Sequence, residues 1–397
     1  MTADGGSVFA QRNDPSDSAA MAESTERDPV PQDGARSVIP MTNEYSTKDA
    51  LLIASSFQEH ILAGVSRTFA LTIPQLPQPL AGVVSNAYLL CRIADTIEDE
   101  PALAPEAKVR LTEQFAALVS GIGSIDAFVA ELAPQLSAAT SQAEHELVHN
   151  TALVLQVTHS FDAAPRAAIE RCVQIMCRGM HRFQQSAGVN GLRDLNELSR
   201  YCYYVAGVVG EMLCALFCEF STATAQRRET LMRYAVSFGQ GLQMTNILKD
   251  MWEDRTRGVS WLPRAEFKRH GVEIAEIDPA AQTEAFARAL NELIAVTHAQ
   301  LNYALEYTLA ISSRDTGIRK FCAWNIGMAL LTLRKIVSKP GYSSAVEVKI
   351  SRTSVFWVLL LTRIGIRSNT WLRFLFRRAA STLPQIDIAP AQAPVEA

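Results

Sequence analysis

Two stretches govern the reading of this chain: CRIADTIEDE at residues 91–100 and NILKDMWEDR at residues 246–255. The first carries Asp95, Glu98 and Asp99, the second Asp250, Glu253 and Asp254. Both place carboxylates at i, i+3 and i+4, positions that share one face of an α-helix. Three like charges on a face repel, so the spacing does nothing for the helix itself. Each cluster follows an apolar run, VVSNAYLLCRIA at 83–94 and FGQGLQMTNIL at 238–248. The acids therefore fall at the ends of two buried helices. A solvated acidic face accounts for one such cluster, but two with identical spacing, 155 residues apart, point to a shared task. Hard divalent cations take oxygen ligands, and Mg2+ is held by a few carboxylates together with substrate phosphates. Two facing triplets would hold Mg2+ against a diphosphate and neutralise it as a C–O bond ionises. In an apolar helical interior the matching substrate is a prenyl diphosphate, with its head on the metal and its tail among the helices.

Helical periodicity extends outward from these stretches. Apolar residues recur at three- and four-residue steps through 167–183, 195–220, 228–253, 283–309 and 318–337. The breakers Gly188, Gly191, Gly258, Pro263, Pro340 and Gly341 lie between the runs. YCYYVAGVVGEMLCALFCEF at 201–220 is apolar nearly all round, which suits the centre of a bundle. The pattern predicts an all-α chain forming a single large bundle at 46–350. Residues 1–45, rich in Asp, Ser, Pro and Gly, are expected to be a disordered tail, and 381–397 another.

Composition excludes several classes. Of 397 residues, 48% are hydrophobic, and 37 basic residues against 41 acidic give a net charge of −4. The global basic excess of a nucleic-acid binder is absent. Seven cysteines, with no CxxC pair, suit reduced thiols in the cytoplasm better than a disulfide or zinc scaffold. The N-terminus has acids where a signal peptide has its apolar core, and no continuous apolar run reaches spanning length. SRTSVFWVLLLTRIGIRSNTWLRFLFRRAA at 351–380 has six arginines and no acids among abundant apolar residues. It reads as a basic amphipathic segment for an anionic membrane surface, or else as a helix packed on the bundle.

Five blocks carry a resemblance to a known family: SRTFA from Ser66, YLLCRIADTIEDE from Tyr88, YCYYVAGVVGEM from Tyr201, LQMTNILKDMWED from Leu242 and FCAWNIGMALLTL from Phe321. In order and spacing they resemble the squalene/phytoene synthases over roughly residues 55–355. DTIEDE and the FCA block with VKISR at 348–352 look most like squalene synthase, whereas YCYYVAGVVGE and WLP look at least as much like phytoene and dehydrosqualene synthases. The resemblance implies an isoprenoid synthase bundle with a central apolar cavity, in a monomer. It implies Mg2+-dependent head-to-head condensation of two farnesyl diphosphates. One ionises, the C2–C3 double bond of the other attacks the allylic cation, and proton loss gives presqualene diphosphate. Loss of the second diphosphate, rearrangement and hydride from NADPH give squalene; phytoene and dehydrosqualene synthases end by proton loss instead. A terpene cyclase would lack the YCYYVAG and FCA blocks, and a non-catalytic membrane scaffold would have no need of intact acidic motifs.

By the same resemblance, Asp95, Asp99, Asp250 and Asp254 bind metal, with Glu98 and Glu253 as ligands or supports. Asn246 and Gln243, one and two turns before Asp250, belong to the second motif. Arg67, Arg92 and Lys249 match basic positions near the diphosphate, since guanidinium forks suit phosphate oxygens. Arg92 has the alternative of an intrahelical pair with Asp95, and Lys249 that of a surface lysine. Ser66 and Phe69 line the entrance, and Tyr88, one turn before Arg92, reaches toward the diphosphate. Tyr201 is placed to stabilise cations or assist proton removal, while Tyr204 is packing. Ala206, Gly207 and Gly210 allow a close approach. Phe321, Cys322 and Asn325 line the pocket of the second half-reaction, Phe321 through cation–π attraction or as plain core. One departure stands out: in DRTRGVSWLP, Val259 occupies the place of a family arginine that binds phosphate. This puts the NADPH step in doubt unless Arg255 or Arg257 substitutes.

Overall fold

A computed structural model describes residues 47–184, 188–281 and 283–395. The first part of the bundle holds α1 (Thr47–Val65), α2 (Arg67–Thr72), α3 (Gln78–Asp99), α4 (Pro105–Val119), α5 (Ile125–Leu132), α6 (Gln142–His149), α7 (Thr151–Ser160) and α8 (Ala163–Gln184). The middle holds α9 (Leu195–Cys202), α10 (Val208–Phe220), α11 (Thr222–Ala225), α12 (Arg228–Thr256) and α13 (Arg264–Lys268). The last part holds α14 (Glu284–Ala310), α15 (Thr316–Ser338), α16 (Arg352–Ile364) and α17 (Asn369–Ala379). Among the described residues there is no β-strand, only a single bridge between Leu192 and Pro263.

Local sequence sets the helix starts. Ser66, Ser124, Asp194, Ser221, Thr283, Ser351 and Ser368 each accept a hydrogen bond from a backbone N–H of the first turn. Ser141 and Glu144 form a reciprocal capping box on α6. Between α9 and α10, residues Tyr203–Gly207 widen into a π turn, which lies within the YCYYVAG block.

Packing then selects the arrangement. α12 lies at the centre, against α10, α14 and α15. A Cβ on Gly210 would fall 1.9 Å from the Ala235 carbonyl oxygen, and one on Gly239 the same distance from that of Ala206. Only glycine lets these backbones approach so closely, which fixes the YCYYVAG helix against α12. Residues 78–99 and 195–220 are long and apolar enough to cross a membrane, yet most of the apolar stretch of each is buried, so they serve here as core helices. Where the sequence predicts a central apolar cavity, the described residues form a continuous apolar core into which rings from several helices converge.

The C-terminal segments differ from the sequence-based expectation, while residues 1–45 lie outside the described residues. The stretch 351–380 is two helices with a corner at Gly365, where Trp371 lies against the glycine and donates to the Leu361 carbonyl at 2.8 Å. α16 is seated on α15: Val358 packs on Gly327, and Trp324 Nε1 donates to Thr362 Oγ1 at 2.8 Å. Of the expected loose tail at 381–397, the described residues 381–395 are instead laid along the bundle. Its backbone meets polar side chains of α12 and α14: Tyr303 Oη donates to the Ile388 carbonyl at 2.6 Å, and the Ala391 N–H donates to Ser237 Oγ at 2.9 Å. Prolines pre-extend the segment, and these side chains satisfy backbone groups that periodicity alone leaves unassigned.

Candidate active site

Asp95, Glu98 and Asp99 occupy the last turns of α3, and Asp250, Glu253 and Asp254 those of α12. Arg257, just past α12, joins the two ends, with Nη1 3.3 Å from Asp99 Oδ1 and Nη2 on Asp254 Oδ1. Acids at two helix C-termini stand at the negative ends of both macrodipoles, an arrangement that helps neither helix. Burial, opposed by Arg92 and reinforced by Asp99, lifts the Asp95 carboxyl to about 7. Burial, against the pull of Arg257, lifts Asp254 to about 6. Glu98 is pushed well above the carboxylate range by burial and by Asp99 and Asp95, and Asp250 is raised by burial despite Lys249. Such carboxylates resist ionisation until a cation comes between them.

The donor set suits Mg2+: it is all oxygen, and Glu98 Oε1 and Glu253 Oε2 are buried with no hydrogen-bond partner among the described residues. No three acidic side chains converge closely enough, among the described residues, to hold an ion on their own. A Mg2+ here would therefore take one or two carboxylates and complete its shell with substrate oxygens.

The basic residues fall into two groups. Arg92 is 3.9 Å from Asp95 and pairs with Glu144, so it joins the motif helix to α6 as well as facing the acids. Lys249 lies 3.1 Å from its neighbour Asp250. Arg67 is exposed at the first position of α2, and Asn246 is exposed on the face of Asp250, with Gln243 half-buried a turn earlier. Arg255 donates to the Ile274 and Ala275 carbonyls, and Arg257 is committed to Asp99 and Asp254. Neither offers a spare guanidinium in place of Val259.

Ser66 caps α2, its Oγ accepting from the Phe69 N–H at 3.1 Å, while Tyr88 donates to the Val65 carbonyl at 3.3 Å. Phe69 stands between Tyr88 and Phe321, ring centroids 4.8 and 6.4 Å away. Asn325 is buried, its amide donating to the Phe321 carbonyl at 2.8 Å and to Thr72 Oγ1 at 3.3 Å. Cys322 is fully buried beside it. Tyr201 lies flat on Trp261, centroids 3.9 Å apart with 7° between the planes, and Phe183 meets its edge. Burial, with Glu98 and Asp99 nearby, pushes the Tyr201 phenol well above its usual range, so it remains a neutral O–H. Tyr204 packs against Gly179 of α8, as the packing reading expects.

Several contributors had no clear sequence signal. Lys108 donates to the Glu98 carbonyl, Glu144 holds Arg92, and Trp261 carries Tyr201. Of these only Trp261, within WLP, lay in a motif. Glu100 reads as a further acid of the first motif, yet it is fully buried and turned away. It accepts from the Ala102 and Ser137 N–H groups and from Thr140 Oγ1 at 2.9, 2.8 and 2.7 Å.

Comparison with known proteins agrees with this geometry. The family model for squalene/phytoene synthase matches residues 62–354. A squalene synthase of Gibberella zeae is 29% identical over 279 residues, covering 69% of this chain and 57% of the relative. One of Eremothecium gossypii is 25% identical over 306 residues, covering 76% and 66%. The chain thus spans less than two thirds of the length of these relatives. Among solved structures, TcSQS with a bound ligand superposes with a TM-score of 0.66 at 22% identity, covering 86% of this chain and 94% of that one. A dehydrosqualene synthase with a ligand gives 0.59 at 20% identity, covering 81% and 99%. At these identities the two structures speak for the fold alone. The family match contains both acidic helix ends, Tyr201 and the FCA block, and on that ground the chain belongs to the squalene/phytoene synthase family.

Proposed function

We propose that the protein condenses two farnesyl diphosphates head to head, through presqualene diphosphate, and carries the product on to squalene. The observation that carries this reading is the pairing of two acidic helix ends through Arg257, at the mouth of an aromatic-lined apolar core. Asp95, Asp99, Asp250 and Asp254 would hold Mg2+, which when bound supplies charge neutralisation for the departing diphosphate. Arg92, Arg67 and Lys249 would bind the remaining phosphate charge. Tyr201, a neutral phenol held flat by Trp261, would present its oxygen dipole to the allylic cation or take part in proton removal. The rings of Phe69 and Phe321 offer π faces to the later cation and exclude water from it.

A second reading is favoured by Val259 and by the commitment of Arg255 and Arg257. Neither Arg255 nor Arg257 is then left to take the place of the missing arginine on a nucleotide phosphate. In this reading the enzyme releases presqualene diphosphate, or ends by proton loss as phytoene and dehydrosqualene synthases do. Product analysis separates the two. The purified chain is incubated with farnesyl diphosphate and Mg2+, with and without NADPH, and products are identified by mass spectrometry. Squalene only with NADPH supports the first reading. Presqualene diphosphate or dehydrosqualene in both tubes supports the second, and no Mg2+-dependent diphosphate release removes both.

A cytoplasmic enzyme making a long hydrocarbon needs a membrane to receive it. Phe356, Trp357, Ile364 and Phe374 are exposed on α16 and α17 among arginines without acids, which favours peripheral attachment to anionic lipid. Co-sedimentation with phosphatidylserine vesicles that is lost in Trp357→Ser supports this; no binding to such vesicles overturns it.

A further inference from the structure

Arg92 has two carboxylates within reach and takes one of them. Its Nη2 donates to Glu144 Oε1 on α6, while its Nη1 stands 3.9 Å from Asp95 Oδ2, too far for a hydrogen bond. Local geometry favours the opposite choice. Asp95 is three residues on along the same helix, a spacing at which acid and base meet with no help from elsewhere. Glu144 is 52 residues away, on another helix. The other metal-assigned aspartates differ. Lys249 lies 3.1 Å from Asp250, and Arg257 contacts Asp254 and, at 3.3 Å, Asp99. Among the described residues, Asp95 is the only one of the four whose nearest cation is drawn to a different acid.

The N-terminus of α6 explains why Glu144 prevails. Glu144 Oε2 accepts from the Ser141 N–H at 2.9 Å, and Ser141 Oγ accepts from the Glu144 N–H at 3.3 Å. This capping box fixes the side chain and leaves Oε1 for Arg92. Only 13% of the Glu144 side chain is accessible, against 35% for Asp95, so water screens its pair with Arg92 less. The consequence falls on Asp95. A guanidinium closed on that carboxylate would neutralise it and occupy the oxygens that a Mg2+ needs. Held by Glu144, Arg92 stays beside the acid without covering it, and its Nη1 edge is left for a phosphate oxygen.

We infer that Glu144 is a positioning residue: by holding Arg92 off Asp95, it keeps that carboxylate open to Mg2+. This rests on the proposed Mg2+–diphosphate reading and adds to it a residue outside the five sequence blocks. Three variants separate the helix cap from the ion pair. Glutamine also closes a capping box, but it has one acceptor oxygen where the carboxylate has two. Glu144→Gln therefore keeps the cap and releases Arg92 to Asp95. Ser141→Ala removes the cap hydroxyl and leaves the carboxylate on Arg92, and Glu144→Ala removes both.

The test is a melting titration of the full chain with Mg2+ in the presence of inorganic diphosphate, followed by kinetics with farnesyl diphosphate. The Mg2+ concentration at half of the melting shift should rise about tenfold in Glu144→Gln and Glu144→Ala, as for other groups that orient the ligands of a metal. It should stay unchanged in Ser141→Ala, although that variant melts at a lower temperature. In kinetics, Glu144→Gln should lose kcat/KM at low Mg2+ and recover most of it at saturating Mg2+, a recovery that damage to the fold would not show. Should Glu144→Ala fail to fold, Glu144→Gln tests the same point with the cap in place. An unchanged Mg2+ midpoint in folded Glu144→Gln overturns the inference while leaving the metal assignment intact, and so does an equal rise in Ser141→Ala. Absence of both a Mg2+-dependent melting shift and Mg2+-dependent diphosphate release in the unmodified chain removes that assignment, and the inference with it.

Discussion

The acidic ends of α3 and α12 have the same spacing and different surroundings. On α3, Asp99 is half exposed, with 52% of its side chain accessible, whereas its counterpart Asp254 on α12 keeps 8%. Arg257 spans this difference, one nitrogen on each. The glutamates diverge further. Glu98 is half-buried, with Lys108 donating to its backbone carbonyl and its Oε1 left without a partner among the described residues, while Glu253 accepts from the Ala345 N–H at 2.8 Å and so fixes the loop after α15. Glu100 has no counterpart on α12 and fastens the segment around 137–140. Identical local patterns therefore divide: Asp99 and Asp254 share Arg257, Glu98 keeps a carboxylate oxygen with no hydrogen-bond partner among the described residues, and Glu253 gives one oxygen to the scaffold. The lesson is that spacing nominates a face, and the neighbouring elements decide which members of it remain free.

Breaking the shared part of the comparison should have the largest effect. Asp95→Asn or Asp250→Asn should nearly abolish turnover while circular dichroism and melting show a folded protein. Full activity in either would remove the metal assignment. Removing the bridge comes next. Arg257→Met should lower the melting temperature of the metal-free protein, because Asp99 and Asp254 are left facing each other, and Mg2+ should restore most of the loss. A metal-free melting point equal to that of the unmodified chain would show that Arg257 does not hold the two ends together.

The pH response sharpens the contrast between site and scaffold carboxylates, because the signs are opposite. Asp95 and Asp254 are raised to about 7 and about 6 from an ordinary value of 3.8. Their contribution to stability without metal is fully present below that ordinary value and is lost as pH rises through 6 to 7. Mg2+ should therefore raise the melting temperature more at pH 8 than at pH 5, and an equal rise at both would contradict it. Burial raises the Glu100 carboxyl, but its hydrogen bonds from Ala102, Ser137 and Thr140 together outweigh that and lower it, so its contribution is present above its unfolded value of 4.5 and is lost as pH falls. Glu100→Gln should cost about 2 kcal/mol of stability in urea unfolding, with activity per folded molecule retained. Glu253→Gln should do less, about 1 kcal/mol, and a severe loss of turnover there would show that its second oxygen, unpartnered among the described residues, serves the metal.

Much of the site was legible before folding. Asp95, Asp99, Asp250 and Asp254 were visible because helical spacing is a local property and apolar runs mark the helices that bear them. Tyr201 and Phe321 were visible only through the block resemblance, since one aromatic in an apolar helix reads as core. Lys108, Glu144 and Trp261 became partners through contacts between elements, and no period in their own segments announces that. The described part of the tail, 381–395, was misread for the same reason: Pro-rich composition indicates an extended chain, and whether it is loose depends on Ser237, Gln300 and Tyr303 across the fold.

The sequence by itself determined the helical class, the ends of the helices and the two acidic faces. Each follows from hydrogen bonding and side-chain geometry within a few consecutive residues. Tertiary structure alone decided that Arg257 would join those faces and that Glu100 would turn inward. These outcomes depend on which side chains meet at van der Waals distance, and close packing of distant segments sets that, not the spacing within any one of them.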